Sequence, residues 1–358
     1  MDKKELLLTA LEQCGSFPIF AGFDGAVDRI YEVVASRTAR KTVRMGTIDE
    51  FAAAIAAASG RSTNVERVLL EERCGGNAVL CAMALATLGQ RITLVANVGE
   101  PLHAAFAKLN TDGAEIYATG NPNSTDALEF FDGKIMLTDS KPLALTTYDS
   151  ICQAIGAESL GPLLARQRAV AFTNWTMTPN GTEIFERICN GDLRSLPPSA
   201  PILFDIADPA RRADLEILQF LDVLAKFCET HRTYLSLNVK ELERIAAIGD
   251  CTDGSDWREK MEKLHSRWPL EWVLHRLDGA ACYGSCGWCS ADGFFTAKPH
   301  STTGGGDHFN GGFVFGLLGG LSIEHALLMG NAVSGAFVRS GRSPDRNSLK
   351  AFIVKEMP

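Results

Sequence analysis

Short apolar runs alternate along the chain with longer apolar or amphipathic stretches. The short runs have the length of buried strands, and the longer stretches have the apolar spacing of helices. The predicted strands cover residues 17–22, 91–99, 169–175, 201–208 and 234–238, and the predicted helices cover 2–14, 48–59, 75–89, 215–229 and 323–340. This alternation predicts an α/β fold, with a central, mostly parallel sheet and helices on both faces.

Two internal segments and the C-terminal tail depart from that alternation. Residues 30–45 partly alternate between apolar and polar positions, and residues 114–145 contain short alternating runs broken by turn pairs such as Asp132-Gly133. Both segments predict strands of a small β lid that covers a substrate. The expected organisation is a single α/β domain over 1–358 that carries this lid. The tail at 342–358 is predicted to end in a short apolar strand or turn.

A run of three glycines, Gly304, Gly305 and Gly306, precedes Asp307 and a long apolar stretch. The stretch predicts a helix that begins near Gly306 or Asp307. Bare backbone amides at a helix N-terminus form a site for anions. A carboxylate in such a site suits an enzyme that takes a proton from a hydroxyl while the amides stabilise a phosphoryl group in transfer. The alternative is a glycine turn with Asp307 as a helix cap.

Two further patterns suit a ligand. The glycine pair Gly75-Gly76 opens a helix of small and apolar residues and lets a ligand approach its N-terminus, next to Asn77. Asp24 and Asp28 follow the first predicted strand, at the edge of the sheet where ligands usually bind. Turn formation by Asp24 and a solvated charge at Asp28 are the competing interpretations.

Asn238 and Glu241 stand three residues apart where a strand leads into a helix. This spacing places both side chains on one face of the first helical turn, as in an ordinary capping box. Asp205, at the end of another strand, is interpreted as a loop cap. Three cysteines at positions 282, 286 and 289 are interpreted as the tip of a hairpin, because they lack the second pair typical of a zinc site.

Composition and charge exclude several classes of protein. The chain has 358 residues, 46% of them hydrophobic, and a formal net charge of −8. With no basic cluster, nucleic acid and anionic membrane are not expected as partners. The chain lacks a signal-peptide pattern and a run of membrane-spanning length, and its ten cysteines are scattered, so we expect a cytoplasmic protein. Neither a P-loop motif nor a dinucleotide-binding glycine pattern after the first strand is present.

The segment 301–313 resembles the C-terminal signature of the ribokinase-like carbohydrate kinase family, the PfkB group. That signature reads Asp-Thr-x-Gly-Ala-Gly-Asp-x-Phe-x-x-Gly-Phe, and it is matched here at Thr302, Gly304, Gly306, Asp307, Phe309, Gly312 and Phe313. Ser301 replaces the leading Asp of the signature. The segment 75–89 resembles the family's N-terminal signature, with Leu80 in the place of its usual Asn.

This resemblance implies a three-layer ribokinase-like fold and an ATP-dependent kinase that phosphorylates a hydroxyl of a small sugar, sugar-like molecule or nucleoside. It implies Asp307 as general base, with the amides of Gly304, Gly305 and Gly306 around the transferred group. The acceptor would be held by Asp24, Asp28, Gly75, Gly76 and Asn77, and ATP by His275, Arg276, Thr303 and Asn331. Asn238 and Glu241 would organise Mg²⁺ through water. A homodimer through the lid is also implied. The alternative is a non-catalytic sugar or nucleotide sensor that retains the kinase fold.

Overall fold

The computed structural model describes residues 2–156, 159–251 and 256–357. The strands in these ranges are β1 (Pro18–Phe23), β2 (Ala26–Arg37), β3 (Thr42–Arg44), β4 (Arg67–Gly75), β5 (Arg91–Ala96), β6 (Glu115–Ala118), β7 (Asn123–Phe130), β8 (Gly133–Asp139), β9 (Ala169–Phe172), β10 (Ile202–Asp205), β11 (Thr233–Leu237), β12 (Glu271–Arg276), β13 (Gly279–Gly284) and β14 (Gly287–Asp292). The α-helices are α1 (Lys3–Gln13), α2 (Ile48–Ala57), α3 (Asn77–Thr87), α4 (Lys141–Ala144), α5 (Tyr148–Ile155), α6 (Leu160–Ala165), α7 (Gly181–Arg187), α8 (Asp214–Phe227), α9 (Val239–Ile248), α10 (Trp257–Arg267), α11 (Gly305–Leu318), α12 (Ile323–Ser340) and α13 (Arg346–Glu356).

Nine of the strands form the central sheet, in the order β14-β13-β12-β11-β10-β9-β1-β5-β6. The strands from β12 to β6 pair in parallel, whereas β13 and β14 close one edge as antiparallel strands. The parallel arrangement brings the carboxyl ends of seven strands to one edge. The predicted α/β class is therefore confirmed.

The two faces of the central sheet are buried against different helices. Along β1, the side chains of Ile19 and Ala21 join one apolar cluster, which includes residues of α3, α11 and α12. Phe20 joins the cluster on the other face, which includes residues of α7, α8 and α9. Successive strand residues point to opposite faces, so a sheet covered on both sides requires a continuous apolar run. This is the run that the sequence shows at residues 17–22.

Strands β2, β3, β4, β7 and β8 form a second, smaller sheet. Its own small core contains Tyr31, Val33, Leu128 and Phe130. The expected lid segments differ from this sheet in two respects. Residues 115–118 belong to the central sheet, because β6 pairs in parallel with β5. Strand β4, which lies outside 30–45 and 114–145, pairs antiparallel with β2.

The C-terminal tail also differs from the prediction of a short strand or turn. It forms the helix α13, whose N-terminus is capped by the side chain of Asp345 through the backbone N–H of Ser348 at 2.8 Å. Leu349 and Ile353 are buried on one side of this helix, at the i, i+4 spacing of a helical face. Among the described residues, no helix is both long and apolar enough to cross a membrane.

Candidate active site

A cavity of about 760 Å³ lies at the carboxyl edge of the parallel strands, beside the N-terminus of α11. Several strands deliver polar residues to this edge: Asp205 ends β10, Asn238 follows β11 directly and Arg276 ends β12. The predicted residues that line the cavity are Asn77, Asn238, Glu241, His275, Arg276, Gly304, Gly305, Gly306, Asp307 and Asn331. The fold therefore brings together residues that are up to 254 positions apart in sequence, from Asn77 to Asn331.

The N-terminus of α11 is shaped by glycine. Gly304 precedes the helix with φ of 91°, in the left-handed region that favours glycine. The backbone N–H of Gly305 donates to the carbonyl of Thr302 at 3.2 Å, and the Ser334 hydroxyl donates to the carbonyl of Gly305 at 2.8 Å. The amide of Gly305 is thus used within the turn. The next amides, of Gly306 and Asp307, have no partner within the helix because they belong to its first turn.

The carboxylate of Asp307 is buried at the start of α11, with 5% of the residue exposed. Its Oδ1 accepts a hydrogen bond at 2.8 Å from Nδ2 of Asn77, the first residue of α3. Burial raises the pKa of Asp307 well above its usual range, and the nearby carboxylates of Asp205 and Asp24 raise it further. The bond from Asn77 acts in the opposite direction. Asp307 is therefore a better proton acceptor, once ionised, than an exposed aspartate.

Asp24 has a different position from the other predicted acceptor ligands. Its two carboxylate oxygens accept the backbone N–H groups of Asn77 and Ala78, each at 2.8 Å, and Oδ2 also accepts Nδ2 of Asn174 at 2.7 Å. The Asp24 side chain is buried, and it lines neither the cavity beside α11 nor a second cavity of about 810 Å³. Asp24 thus acts as the cap of α3 and fixes the position of Asn77. Gly76, the second glycine of the pair before α3, lets the start of this helix lie close to the segment that carries Asp24. A Cβ on Gly76 would lie 2.8 Å from the Cα of Gly25.

Asp28 lies on β2 and lines a second cavity of about 810 Å³, together with Thr303. A Cβ on Gly75 would lie 2.7 Å from a carboxylate oxygen of Asp28, so the carboxylate rests against the bare backbone of Gly75. Burial raises the pKa of Asp28, and the positive charge of Arg73 partly opposes that shift. Asp28 and Asp307 therefore approach the start of α3 from two different cavities.

Asn238 and Glu241 form a reciprocal capping box at the start of α9. The Asn238 backbone N–H donates to Oε2 of Glu241 at 2.8 Å, and the Glu241 N–H donates to Oδ1 of Asn238 at 3.0 Å. The alternative interpretation of the pair as a capping box is thus present in the structure, whereas its role in organising Mg²⁺ stays a prediction. Glu241 is nonetheless buried, and both burial and the neighbouring Asp205 raise its pKa. An ordinary surface capping box does not carry that electrostatic cost.

Four buried carboxylates, those of Asp24, Asp205, Glu241 and Asp307, share this edge of the sheet. Burial raises the pKa of Asp205, Glu241 and Asp307, and repulsion among the carboxylates raises it further. A divalent cation nearby would relieve the repulsion. Among the described residues, no three acidic, histidine or cysteine side chains are placed to hold a metal ion directly. The residues present fit an Mg²⁺ ion that is bound mainly by phosphate oxygens and water, the mode that Mg²⁺ prefers.

The remaining predicted nucleotide residues have unequal environments. His275 is half-buried against Gly306 and Phe309, and desolvation of the ring lowers its pKa to about 4, so the ring is neutral at pH 7. The guanidinium of Arg276 lies 4.6 Å from the ring centre of Trp257, and its Nε donates to Asp278 at 2.8 Å. Asn331 donates from Nδ2 to the carbonyl of Asp292 at 3.0 Å, the backbone role that a buried Asn commonly has.

The structure adds residues that the sequence analysis did not single out. Lys240 lines the same cavity, in the first turn of α9. Asn310 donates from Nδ2 to Oδ2 of Asp205 at 2.7 Å, and it lies one helical turn after Asp307. A polar residue inside the otherwise apolar run 309–318 is a signal that could have identified Asn310. Asp205 also accepts the N–H of Ala207 at 2.9 Å, so its predicted role as a loop cap is present alongside its place in the cavity wall.

Comparison with known proteins gives consistent results. The family model described as prokaryotic ketohexokinase matches residues 11–355. A ketohexokinase from Haloferax volcanii is 26% identical over 338 residues, which cover 93% of this chain and 90% of that protein.

Similar solved structures include a probable sugar kinase from Rhizobium etli, with a TM-score of 0.66, 16% identity and coverage of 95% of this chain and 98% of that one. A putative ribokinase II from E. coli in complex with ATP and Mg²⁺ has a TM-score of 0.66 at 13% identity, over 95% of this chain and 100% of the other. Arabidopsis thaliana ribokinase complexed with ribose and ATP has a TM-score of 0.64 at 16% identity, over 95% and 99%. These similarities confirm the predicted ribokinase-like fold.

Proposed function

The chain belongs to the prokaryotic ketohexokinase family, and we propose that it transfers the γ-phosphoryl group of ATP to a hydroxyl of a ketohexose or a closely related sugar. Membership makes it a carbohydrate kinase, with a sugar hydroxyl as acceptor. The observation that supports the reaction best is the buried carboxylate of Asp307 beside the glycine-flanked N-terminus of α11, in a cavity of about 760 Å³.

In the proposed reaction, Asp307 accepts the proton of the attacking hydroxyl. Its raised pKa favours proton uptake, and the hydrogen bond from Asn77 holds the carboxylate in one orientation. The backbone amides of Gly306 and Asp307, at the positive end of the α11 dipole, stabilise the charge on the transferred group. Asp24 contributes indirectly, because it fixes the start of α3 and therefore the position of Asn77.

ATP and Mg²⁺ are the proposed cofactors, and Mg²⁺ supplies the positive charge that neutralises the phosphates. Asn238 and Glu241 would organise the ion through water, since their capping box places a buried carboxylate in the cavity wall. His275 and Arg276 line the same wall, whereas Thr303 lies on the side of the second cavity. That an E. coli relative of this fold binds ATP and Mg²⁺ supports the assignment.

The acceptor is proposed to lie between Asp28 and Asp307, against the start of α3. Asp28 would accept hydrogen bonds from sugar hydroxyls, and the bare backbone of Gly75 and Gly76 allows the sugar to approach. Asn77, already bonded to Asp307, would link the acceptor to the general base. The smaller sheet is the proposed lid, which would exclude water from the phosphoryl group in transfer.

A homodimer through the lid is proposed because the smaller sheet exposes large apolar side chains. Leu69 is 50% exposed on β4, and Leu137 is 55% exposed on β8. Apolar side chains exposed together on one small sheet favour a protein interface. We further place the protein in a reducing cytoplasm, since all ten cysteines are free thiols.

The proposed function is tested by the release of ADP from ATP and Mg²⁺ in a screen of ketohexoses, aldohexoses, pentoses and nucleosides. We expect ADP release that depends on the acceptor and is faster with a ketohexose than with the aldohexoses, pentoses and nucleosides of the screen. If calorimetry showed sugar binding while no acceptor stimulated ADP release, the kinase assignment would be wrong and a sugar sensor would be the better description.

A further inference from the structure

The second cavity, of about 810 Å³, has a wall chemistry that a neutral sugar does not require. One side is formed by Leu80, Met83 and Thr87, which lie at helical spacing along one face of α3. Its polar side contains three cationic side chains, Arg73, Lys108 and Arg342, and two carboxylates, Asp28 and Glu71. The cavity wall thus carries an excess of positive charge, although the whole chain has a formal net charge of −8.

The three cations make no ion pair within the part of the chain that the structure describes. By contrast, other arginines of the smaller sheet are paired: Arg29 with Glu72 at 2.9 Å and Arg37 with Glu66 at 2.6 Å. Unpaired cations that line one concavity focus positive potential into it and raise the local concentration of anions. The pairing pattern therefore separates the cavity cations from ordinary surface arginines.

Two of the cations are grouped with the proposed acceptor ligand. Arg73 on β4 stands directly opposite Asp28 on β2 in the antiparallel pair. Lys108 comes from the short helix Ala104–Leu109, and it lines the same cavity as Arg73 and Asp28. Cys74 lines this cavity as well, next to Arg73 in the chain. This arrangement places a carboxylate for hydroxyl groups next to two cations for an anionic group.

The same region connects to the proposed reaction centre through the start of α3. Gly75 contacts the carboxylate of Asp28, and Asn77 contacts Asp307 two residues later. A sugar with one hydroxyl at Asp307 and others at Asp28 would therefore extend its far end toward Arg73 and Lys108. Arginine and lysine bind carboxylates and phosphates through charge-assisted hydrogen bonds, whereas neutral hydroxyls gain less from them.

From these observations we propose that the preferred acceptor is an anionic sugar, which carries a carboxylate or a phosphate at the end remote from the phosphorylated hydroxyl. This inference rests on the proposed function. Arg73 and Lys108 bind the anionic group, and Asp28 binds neighbouring hydroxyls. Arg342, which also lines the cavity, adds to the positive potential there.

The test compares three acceptors with ATP and Mg²⁺: fructose, fructose 6-phosphate and 2-ketogluconate. We expect kcat/KM for one of the two anionic sugars to exceed that for fructose by about tenfold or more, the effect of one charge-assisted contact. The two anionic sugars distinguish a phosphate site from a carboxylate site. In Arg73→Gln and Lys108→Gln, the ratio of kcat/KM for the anionic sugar to that for fructose should fall by about tenfold, mainly through KM.

Arg40→Gln is the matched control, because Arg40 is an exposed arginine of the smaller sheet region that lines neither cavity. This variant should retain the ratio of the unmodified protein. The inference is overturned if fructose is the best acceptor, or if a preference for the anionic sugar survives in both cavity variants. In either case acceptor-dependent ADP release would still support the kinase assignment.

A binding experiment keeps the inference testable if no acceptor is turned over. Calorimetry with fructose 6-phosphate and with 2-ketogluconate, in the absence of nucleotide, measures the cavity alone. Binding of either ligand that weakens in Arg73→Gln and Lys108→Gln, but not in Arg40→Gln, supports the anion site. Absence of binding by both ligands contradicts it.

Discussion

Replacement of Asp307 by Asn distinguishes the effect of this buried carboxylate on protein stability from its contribution to catalysis. The change keeps the size of the side chain and one oxygen acceptor. That oxygen can accept the hydrogen bond that Nδ2 of Asn77 donates to Oδ1 of Asp307 at 2.8 Å in the unmodified protein. It removes the buried negative charge, which lies near the carboxylates of Asp205, Asp24 and Glu241. We therefore expect Asp307→Asn to be more stable at neutral pH and much less active.

The stability effect follows from the raised pKa of Asp307. The folded protein holds this proton more tightly than the unfolded chain, whose aspartates titrate at about 3.9. The free energy of unfolding therefore falls as the pH rises from that value through the raised pKa. Each unit of the shift costs about 1.4 kcal/mol once the group is ionised. Asp307→Asn avoids this cost, so we expect a gain of at least about 1 kcal/mol at neutral pH and a Tm higher by ~2 °C.

The activity effect has the opposite sign. An amide cannot accept the proton of the acceptor hydroxyl, and loss of a general base typically costs about 10² to 10⁴ in rate. The loss should appear in kcat, while the affinity for ATP changes little. In the unmodified protein, kcat/KM should fall on the acid side with an apparent pKa above the ordinary range of an aspartate, because protonated Asp307 is inactive.

Thermal unfolding at pH 5 and pH 8, together with ADP release under saturating sugar, measures both effects. The stability gain should be larger at pH 8 than at pH 5, since Asp307 is more ionised at the higher pH. Asp112→Asn is the control, because Asp112 is an exposed aspartate and should change neither quantity. Near-normal turnover in Asp307→Asn would refute the role as general base, and a lower Tm at pH 8 would refute the electrostatic argument.

Two further predictions concern the support of the site and the lid. Asp24→Ala leaves the N–H groups of Asn77 and Ala78 without their acceptor, so the free energy of unfolding in urea should fall by about 2–5 kcal/mol, whereas Asp24→Asn keeps one acceptor oxygen and should lose less. Equal stability of Asp24→Ala and the unmodified protein would exclude the capping role. The double variant Leu69→Asp with Leu137→Asp should convert the proposed dimer into a monomer, as measured by light scattering during gel filtration, while Asp112→Asn again serves as control. An unchanged mass for the double variant would place any dimer interface elsewhere.

The elements that local signals specify were predictable from sequence. Three glycines followed by a long apolar run indicated the start of α11, which begins at Gly305. The spacing of Asn238 and Glu241 indicated a capping box, and both of its hydrogen bonds are present. These features depend on residues within one helical turn, so a pattern read along the chain contains the information that determines them.

The elements that depend on distant pairing were not predictable in the same way. Strand β4 has mostly exposed residues, and four of its nine residues are charged, so its extended conformation is stabilised by pairing with β2, about 40 residues earlier. Residues 115–118 are only partly buried at the sheet edge, so their sequence does not distinguish the central sheet from the lid. Helix α13 is different, because its capping residue Asp345 and the spacing of Leu349 and Ile353 were visible signals that the analysis of the tail did not use.

The candidate site likewise combines residues that a local sequence pattern predicts with residues that only the fold brings together. Asp307 and its glycines were identified from one continuous segment, whereas the cavity cations Arg73, Lys108 and Arg342 come from three separate elements. No local pattern connects those three positions. The hydrogen bond between Asp205 and Asn310, 105 residues apart, likewise arises only when β10 and α11 meet in the fold.

The central claim is that a sugar hydroxyl receives the γ-phosphoryl group of ATP at Asp307. A ³¹P NMR time course with ATP, Mg²⁺ and the best acceptor from the screen tests it most directly. The account predicts that the γ-phosphate signal of ATP is replaced by equal amounts of ADP and a sugar phosphomonoester, and that chelation of Mg²⁺ stops the conversion. Formation of inorganic phosphate in place of the phosphomonoester, or an unchanged spectrum with every acceptor, would contradict it.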